Sequence, residues 1–253
     1  MRVVRGRIIW HHATMLSVLL LTTPVDIYCE RTSAAFWSEP VNAVTNLSFI
    51  AAGLWGVATA RSRGERSPAV WLLIALAFAI GIGSFLFHTV AQVWSSFADT
   101  IPIWIFVALA CGICAVRIGG WRPGRVVIGA LILAALAAVL IASGDGSGGR
   151  DSGPPALNGS LQYAPAVVAL AAFAALAQWR GHPLRWWITG ALATFLVSLT
   201  ARTFDQAVCG AFPLGLHWIW HLMNGVLIGL VLQIVLRAAP PGVPRTPAQP
   251  GIR

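Results

Sequence analysis

The feature that most constrains this chain is a series of apolar segments, each close to the length needed to cross a bilayer. A hydrocarbon core about 30 Å thick requires roughly 20 apolar residues of helix. With 57% hydrophobic and 10% charged residues, the chain also has too few polar side chains to cover a water-soluble domain. The sequence therefore predicts an all-α integral membrane protein, a seven-transmembrane helix bundle, and excludes a soluble enzyme or a DNA-binding module. The seven predicted spans are residues 41–60, 69–91, 96–117, 124–143, 161–179, 185–204 and 214–236.

The positions of arginine predict how this bundle is oriented. Loops on the cytoplasmic side of a membrane are enriched in Lys and Arg, and all 17 basic residues of this chain are Arg. The sequence predicts an N-out, C-in core, so that the net charge of +9 reflects topology and not nucleic-acid binding. The arginines gather in the predicted first, third and fifth loops and at the start of the tail, at Arg61, Arg63, Arg66, Arg117, Arg122, Arg125, Arg180, Arg185 and Arg237.

The two ends of the chain differ from the core. Residues 1–25 have a basic start and an apolar middle, which is typical of a signal peptide or a signal anchor. They could form an extra N-terminal hydrophobic helix, or translation could begin at Met15. Residues 26–236 are the predicted seven-span domain, and the proline-rich residues 237–253 are predicted to be a disordered cytoplasmic tail.

Three histidines near the predicted outer end of the bundle form a candidate metal site. His217 and His221 are four residues apart, so on a helix both imidazoles project from one face, one turn apart. His88 reaches the same depth from the second span. Three histidines with one open position are the arrangement of catalytic zinc. The alternative is that these are interfacial histidines within an aromatic belt, beside Trp218 and Trp220.

Ser84 and Asp99 are the candidate catalytic residues beside these histidines. Ser84 lies one turn before His88 on the same helical face, so its hydroxyl could donate to a developing oxyanion. Asp99 could orient a ligand or accept a proton from water. The alternatives are that Ser84 bonds back to its own helix and that Asp99 only complements the helix dipole.

A cluster of acidic residues precedes the first span. Asp26, Glu30 and Glu39 lie there, followed by Asn42 and Asn46 along one helical face. Oxygen-rich clusters suit a hard cation, so this segment predicts a possible calcium site. The alternative is a set of juxtamembrane charges that simply meet water.

Four cysteines and one charge pair complete the candidates. Cys29 and Cys209 both lie on the predicted outer side, where a disulfide can persist. Their pairing would attach the N-terminal segment to the sixth loop. Cys111 and Cys114 are expected to pack in the core. Arg202 and Asp205, near the end of the sixth span, could form an ion pair of structural importance. These residues are all in the seven-span domain.

These segments, in this order, resemble the alkaline ceramidases, within a wider group of seven-span metallohydrolases that includes the adiponectin-receptor-like proteins. The supporting segments are DIYCE and EPVNAVTNL, SFLFH followed by Asp99, FDQAVC, and HWIWH, spanning about residues 26 to 232. The composition, Arg-only and rich in Ala, favours a bacterial-type member. Two departures stand out. Asp26 lies three residues before Cys29 where the family has two, and Thr32 stands where an Asn ligand is expected.

The resemblance implies a zinc-dependent amidase that cleaves the N-acyl bond of ceramide, or of a related long-chain lipid amide, to a sphingoid base and a fatty acid. It implies zinc-ligand roles for the three histidines and catalytic support from Ser84 and Asp99. It also implies calcium at Glu30 and Glu39, and a disulfide between Cys29 and Cys209. The expected location is the bacterial inner membrane, with the active site toward the periplasm.

Two other functions remain open from the sequence. A receptor or binding protein could use the metal to shape a lipid pocket without turnover, but such a protein needs neither Ser84 nor Asp99. A transporter would place polar groups at the bilayer midplane and repeat its halves, whereas the ionisable residues here gather at one end.

Overall fold

The protein is described by a computed structural model that covers residues 20–132 and 156–238. In that part of the chain the regular elements are helices, in agreement with the predicted fold class. A short 3-10 segment, Ala156–Tyr163, precedes the sixth of them. The helices are α1 (Pro40–Thr45), α2 (Leu47–Ser62), α3 (Pro68–Val90), α4 (Val93–Arg117), α5 (Pro123–Ile132), α6 (Ala164–Trp179), α7 (Arg185–Val208) and α8 (His217–Arg237).

Within residues 20–132 and 156–238, six helical segments are long and apolar enough to cross a membrane. Two of them are composite, because α1 continues into α2 as Pro40–Ser62 and the 3-10 segment extends α6 to Leu157–Trp179. These six coincide with six of the seven predicted spans. The fourth predicted span, 124–143, is described only as α5 to Ile132, so the total of seven stays a prediction. The N-terminal extension up to residue 19 and the tail from residue 239 lie outside the described residues.

Local sequence signals set the tight turn between α3 and α4. The N–H of Ala91 bonds to the carbonyl of Phe87, and Ala91 turns the chain with a positive φ of 46°. Gln92 and Ser95 then form a capping box that starts α4. Because the connection is so short, the last turn of α3 and the first turns of α4 lie at the same end of the bundle.

The centre of the bundle is formed by α3 and α8. Leu73, Ile74 and Ile80 of α3 pack with Leu232 and Val235 of α8, and all five are at most 2% exposed. Burying such side chains is worth about 1.5–3 kcal/mol each relative to leaving them in water. In a membrane the close fit between the helices matters more than removal from water.

The segment before α1 lies across one end of the bundle. Pro24 forms an isolated bridge with Gln92, and the N–H of Val25 donates to the carbonyl of Ala91 at 2.8 Å. On the other side, Cys29 and Cys209 form a disulfide with their Cα atoms 5.3 Å apart. The segment therefore joins the α3–α4 turn to the end of α7.

Candidate metal centre

Three buried histidines meet below this N-terminal segment. His88 comes from the last turn of α3, and His217 and His221 come from the first two turns of α8. Each is 1% exposed, and ligand atoms of the three rings all lie within 4.8 Å of one another. The structure thus brings together the three residues that the sequence analysis selected.

Hydrogen bonds to neighbouring side chains define which nitrogen of His88 and of His221 is free. The Nδ1–H of His88 donates to Oε2 of Glu39 at 2.6 Å, which leaves Nε2 with its lone pair. Thr45 Oγ1 lies 3.0 Å from Nδ1 of His221 and 2.8 Å from the carbonyl of Val41. A hydroxyl carries one hydrogen. Since Thr45 donates that hydrogen to Val41, it accepts from the Nδ1–H of His221, and Nε2 of His221 is again unprotonated.

The remaining nitrogens test whether a metal ion fits. Within the described residues, His88 Nε2 and His217 Nδ1 are buried and have no hydrogen-bond partner. Orphaned buried polar atoms are costly unless a ligand satisfies them. Imidazole nitrogens suit zinc and similar divalent ions, and three of them leave a coordination position open. The cluster therefore fits a transition-metal ion.

The position of α8 is fixed by a cap from another helix. Asp205 of α7 accepts hydrogen bonds through Oδ1 from the backbone N–H groups of Leu216 at 2.7 Å and His217 at 2.9 Å. Its other oxygen lies 3.4 Å from the N–H of Cys29. Gly215 has a φ of +67°, and a Cβ there would lie 2.2 Å from Asp205 Oδ1, so only glycine fits at this position.

The expected ion pair between Arg202 and Asp205 is replaced by separate partners. Arg202 Nη1 donates to the hydroxyl of Tyr28 at 3.0 Å, while Asp205 is used by backbone N–H groups. The ring of Tyr28 is stacked on His217 with a centroid distance of 3.6 Å. Arg202 thus contributes to the site through Tyr28, because the aromatic ring it holds covers one of the histidines.

Ser84 and Asp99 face each other beside the histidines. The side chains of Ser84 and Asp99 are close neighbours, and both line a cavity together with His221. This juxtaposition depends on Gly83, where a Cβ would lie 2.0 Å from the carbonyl oxygen of Ala98. Because Gly83 has no side chain, α3 and α4 can approach closely enough to bring these two groups together.

The cavity extends from the histidines toward the opposite end of the bundle. The empty space in it, together with the part open to its surroundings, amounts to about 1080 Å³, and its lining is predominantly apolar. Between His221 and Ile234, both of which line it, α8 rises by about 20 Å at 1.5 Å per residue. Cys114 packs against the core as expected, and both Cys111 and Cys114 also line the cavity. A space of this length and polarity suits a long hydrocarbon chain.

Of the predicted calcium ligands, Glu30 already accepts hydrogen bonds from backbone donors. Glu30 accepts from the N–H groups of Val41 at 2.7 Å and Asn42 at 2.8 Å. Burial raises the pKa of Glu30, and these two bonds offset part of that rise. Asp26 is exposed. Neither Glu30 nor Asp26 therefore offers a prepared, buried oxygen ligand for calcium.

Glu39 is held by three donors, which come from His88, from Asn42 at 3.1 Å and from Nε of Arg31. Burial alone would raise its pKa, but the hydrogen bonds and the neighbouring charges outweigh burial and lower it. Among the described side chains, the amide oxygens of Asn42 and Asn46 have no partner. The buried guanidinium of Arg31 beside Glu39 opposes a second cation there, so the cluster as folded does not fit calcium.

Sequence reasoning missed three residues that hold the histidines in place, namely Tyr28, Arg31 and Thr45, and it assigned Arg202 the wrong partner. Thr45 lies between Asn42 and Asn46 in the sequence, and its helical position was a usable signal. Tyr28 and Arg31 belong to the irregular segment before α1. No periodicity in the sequence indicates which way their side chains turn.

The fold and the site define a multi-pass membrane protein in which a candidate metal centre opens onto a cavity of lipid length. The ceramidase family model matches residues 21–241, which is most of the chain, and the chain therefore belongs to the ceramidase family. Family membership implies a hydrolase that acts on the amide bonds of lipids. Among curated proteins, none matches this sequence.

Proposed function

We propose that this protein is a zinc-dependent membrane amidase. Its substrate is ceramide or a related long-chain lipid amide, and its products are a sphingoid base or amine and a fatty acid. The observation that carries the proposal is the position of the three histidines at one end of an apolar cavity, with Ser84 and Asp99 beside them. A purely structural metal site would require neither the serine nor the acid.

His88, His217 and His221 would hold the metal, and Glu39 and Thr45 would keep the rings of His88 and His221 in the ligating tautomer. Bound zinc supplies Lewis-acid polarisation of the amide carbonyl and activation of a water molecule. The apolar cavity would take the acyl chain and so bring the amide bond to the histidines.

Asp99 and Ser84 would then carry out the proton transfer and the charge stabilisation. Asp99 would accept a proton from water as the new C–O bond forms, and would give it to the nitrogen as the C–N bond breaks. Ser84 would donate a hydrogen bond to the carbonyl oxygen while that oxygen is negatively charged. Water and the amide are consumed, and one carboxylic acid and one amine are released.

The test is zinc content of the purified protein, measured together with fatty-acid release from a panel of N-acyl lipids. We expect stoichiometric zinc and turnover in the wild type. His217→Ala should lose both, and Ser84→Ala should keep zinc and lose turnover. Zinc without turnover of any lipid would favour the receptor function. Full hydrolysis by zinc-free His217→Ala would contradict the mechanism.

We also propose that the metal centre faces the periplasm of a bacterial inner membrane. The site residues gather at the end of the bundle that bears the disulfide, and Arg61, Arg117, Arg185 and Arg237 lie at or beyond the other helix ends. Thiol labelling of Phe36→Cys and Ser62→Cys with an impermeant reagent tests this. In intact spheroplasts we expect only Phe36→Cys to react. Labelling of Ser62→Cys alone would show that the orientation in the membrane is the opposite one.

A further inference from the structure

One buried cation of the outer segment has no part in the proposed chemistry. The side chain of Arg31 is only 3% exposed, although arginine is seldom buried without a partner. Its Nε donates to Oε1 of Glu39, its Nη1 donates to the carbonyl of Ser33 at 3.1 Å, and its Nη2 donates to the carbonyl of His88 at 3.1 Å. One guanidinium therefore joins three points of the site.

Two of these three contacts converge on the same histidine. Glu39 uses Oε1 for Arg31 and Oε2 for the ring of His88, so the arginine fixes the carboxylate that orients the imidazole. The third donor holds the backbone carbonyl of His88 itself. Because a planar guanidinium presents its donors in a fixed geometry, it can hold both groups at once, which an ammonium group does less well.

The location of Arg31 matters because the family resemblance implies a divalent cation in this acidic segment. Here the buried positive charge that faces Glu39 is a side chain of the protein. The four carboxylate oxygens of Glu30 and Glu39 all accept hydrogen bonds from N–H groups. The segment is folded and its charge is balanced without a bound ion.

We propose that Arg31 is the built-in cation of this segment. It takes the role that a calcium ion would have, and it is a positioning residue that holds Glu39 against His88. Assembly of the metal centre in this protein is therefore independent of calcium. The part that concerns metal binding rests on the proposed function, whereas the calcium independence does not.

The first experiment measures the response of the wild-type protein to calcium. The protein is freed of calcium by passage over a chelating resin, supplied with zinc, and unfolded thermally with and without added CaCl2, with MgCl2 as the matched salt. Soluble chelators are avoided because they also remove zinc. We expect the same Tm in both salts. A rise in Tm specific to CaCl2 would overturn the proposal, since ligands that bind the folded state stabilise it.

The second experiment measures zinc affinity by competition with a chromogenic chelator, on variants shown to be folded by size exclusion and circular dichroism. Outer partners of metal-ligating histidines typically contribute 10- to 100-fold to affinity. We expect Arg31→Met to bind zinc about tenfold more weakly and Arg31→Lys to recover part of the loss. The exposed Arg63→Met serves as the matched control and should bind as the wild type does.

A double-mutant cycle tests whether Arg31 acts through Glu39. If it does, Arg31→Met combined with Glu39→Gln should bind zinc no more weakly than Glu39→Gln alone. Independent, multiplying losses would overturn the positioning role, as would unchanged affinity in Arg31→Met. If Arg31→Met does not fold, the zinc affinity of Arg31→Lys still tests the positioning role, and the calcium titration still tests calcium independence. If the wild type binds no zinc, the proposed function fails, and the calcium titration still tests Arg31.

Discussion

The two sides of the bundle differ in how much of their surface is buried within the protein. In the most apolar stretches of α3 and α8, 56% and 61% of the residues are buried, whereas the corresponding values are 11% for α4 and 22% for Leu157–Trp179. The three histidines are on the more deeply buried helices. Asp99 and much of the cavity wall are on the helices that are less buried.

This difference separates two requirements of a lipid-cleaving site. Metal ligands must be held within a fraction of an ångström, and a closely packed core provides that rigidity. A cavity for lipids of varied length benefits from walls that face the bilayer and can adjust. Substitutions on the α3 and α8 side should therefore affect folding and metal binding, and those on the α4 and α6 side should affect substrate selection.

The largest effect is expected for Gly83→Ala, at the contact between the two sides. The new Cβ would lie 2.0 Å from the carbonyl oxygen of Ala98, so α3 and α4 must move apart. We expect a loss of about 3 kcal/mol or more in the free energy of unfolding, at the upper end for overpacking. Gly190→Ala is the control, because it meets no atom within 4 Å and should be neutral or stabilising. Equal stability of the two variants would contradict the close approach.

The next effect concerns the hydrogen bond between Thr45 and His221 of α8. Thr45→Val removes the hydroxyl that accepts from the His221 Nδ1–H and should weaken zinc binding about tenfold. Thr45→Ser retains the hydroxyl and should bind zinc like the wild type. Both affinities are read by competition with a chromogenic chelator. If valine and serine behave alike, the hydroxyl does not orient this ring.

A smaller effect is expected on the cavity side. Cys114→Trp fills the cavity far from the histidines and should lower kcat/KM for long acyl chains relative to short ones by roughly tenfold. Ile105→Trp is the control, because Ile105 lies on the same helix and is 47% exposed. Fatty-acid release from amides of graded chain length measures the ratio. An unchanged ratio would show that the acyl chain does not occupy this space.

The smallest effect lies at the end of the bundle opposite the metal centre. Glu65 accepts a hydrogen bond from Arg117 at 3.0 Å, and Arg117 also donates to the carbonyl of Val235. Partial burial tends to raise the pKa of Glu65, but hydrogen bonds from Ser67 and Arg117 outweigh it and lower the pKa. Glu65→Gln should cost about 0.5–1 kcal/mol at neutral pH.

The pH dependence of this last variant follows from the lowered pKa. The stabilisation by ionised Glu65 is fully present above the pKa of glutamate in the unfolded chain, and it is lost as the pH falls through the lowered folded-state value. Unfolding free energies of the wild type and of Glu65→Gln should therefore converge in acid. A difference that persists there would assign the effect to packing.

The histidine site could be predicted from the sequence because helical periodicity and span order determine it. A separation of four residues places His217 and His221 on one face, and the four crossings predicted between the end of the second span and the start of the seventh bring them back to the end that holds His88. The same reasoning gave the neighbourhood of Ser84 and Asp99. This reasoning requires only that the segments around these residues are regular helices, and α3 and α8 are regular helices in the structure.

The surroundings of the histidines could not be predicted because they come from irregular backbone. Glu39 was expected to bind calcium, but it contacts His88 and Arg31. Which acidic residue meets which cation depends on how the segment before α1 folds. That fold is set by a disulfide and by hydrogen bonds to residues more than 170 positions away, including the bond from Arg202 to Tyr28. Such long-range pairings leave no periodic pattern in the sequence.

The separation of 180 residues between Cys29 and Cys209 also has a consequence for biosynthesis. Residues 20–39 leave the ribosome early, yet their partners on α7 and α8 are among the last to be made. Chains are synthesised at about 5–20 residues per second, so the early segment waits for many seconds before it can dock. A nascent or truncated chain in the membrane therefore has no assembled metal centre, which ties the onset of any hydrolysis to completion of the last span.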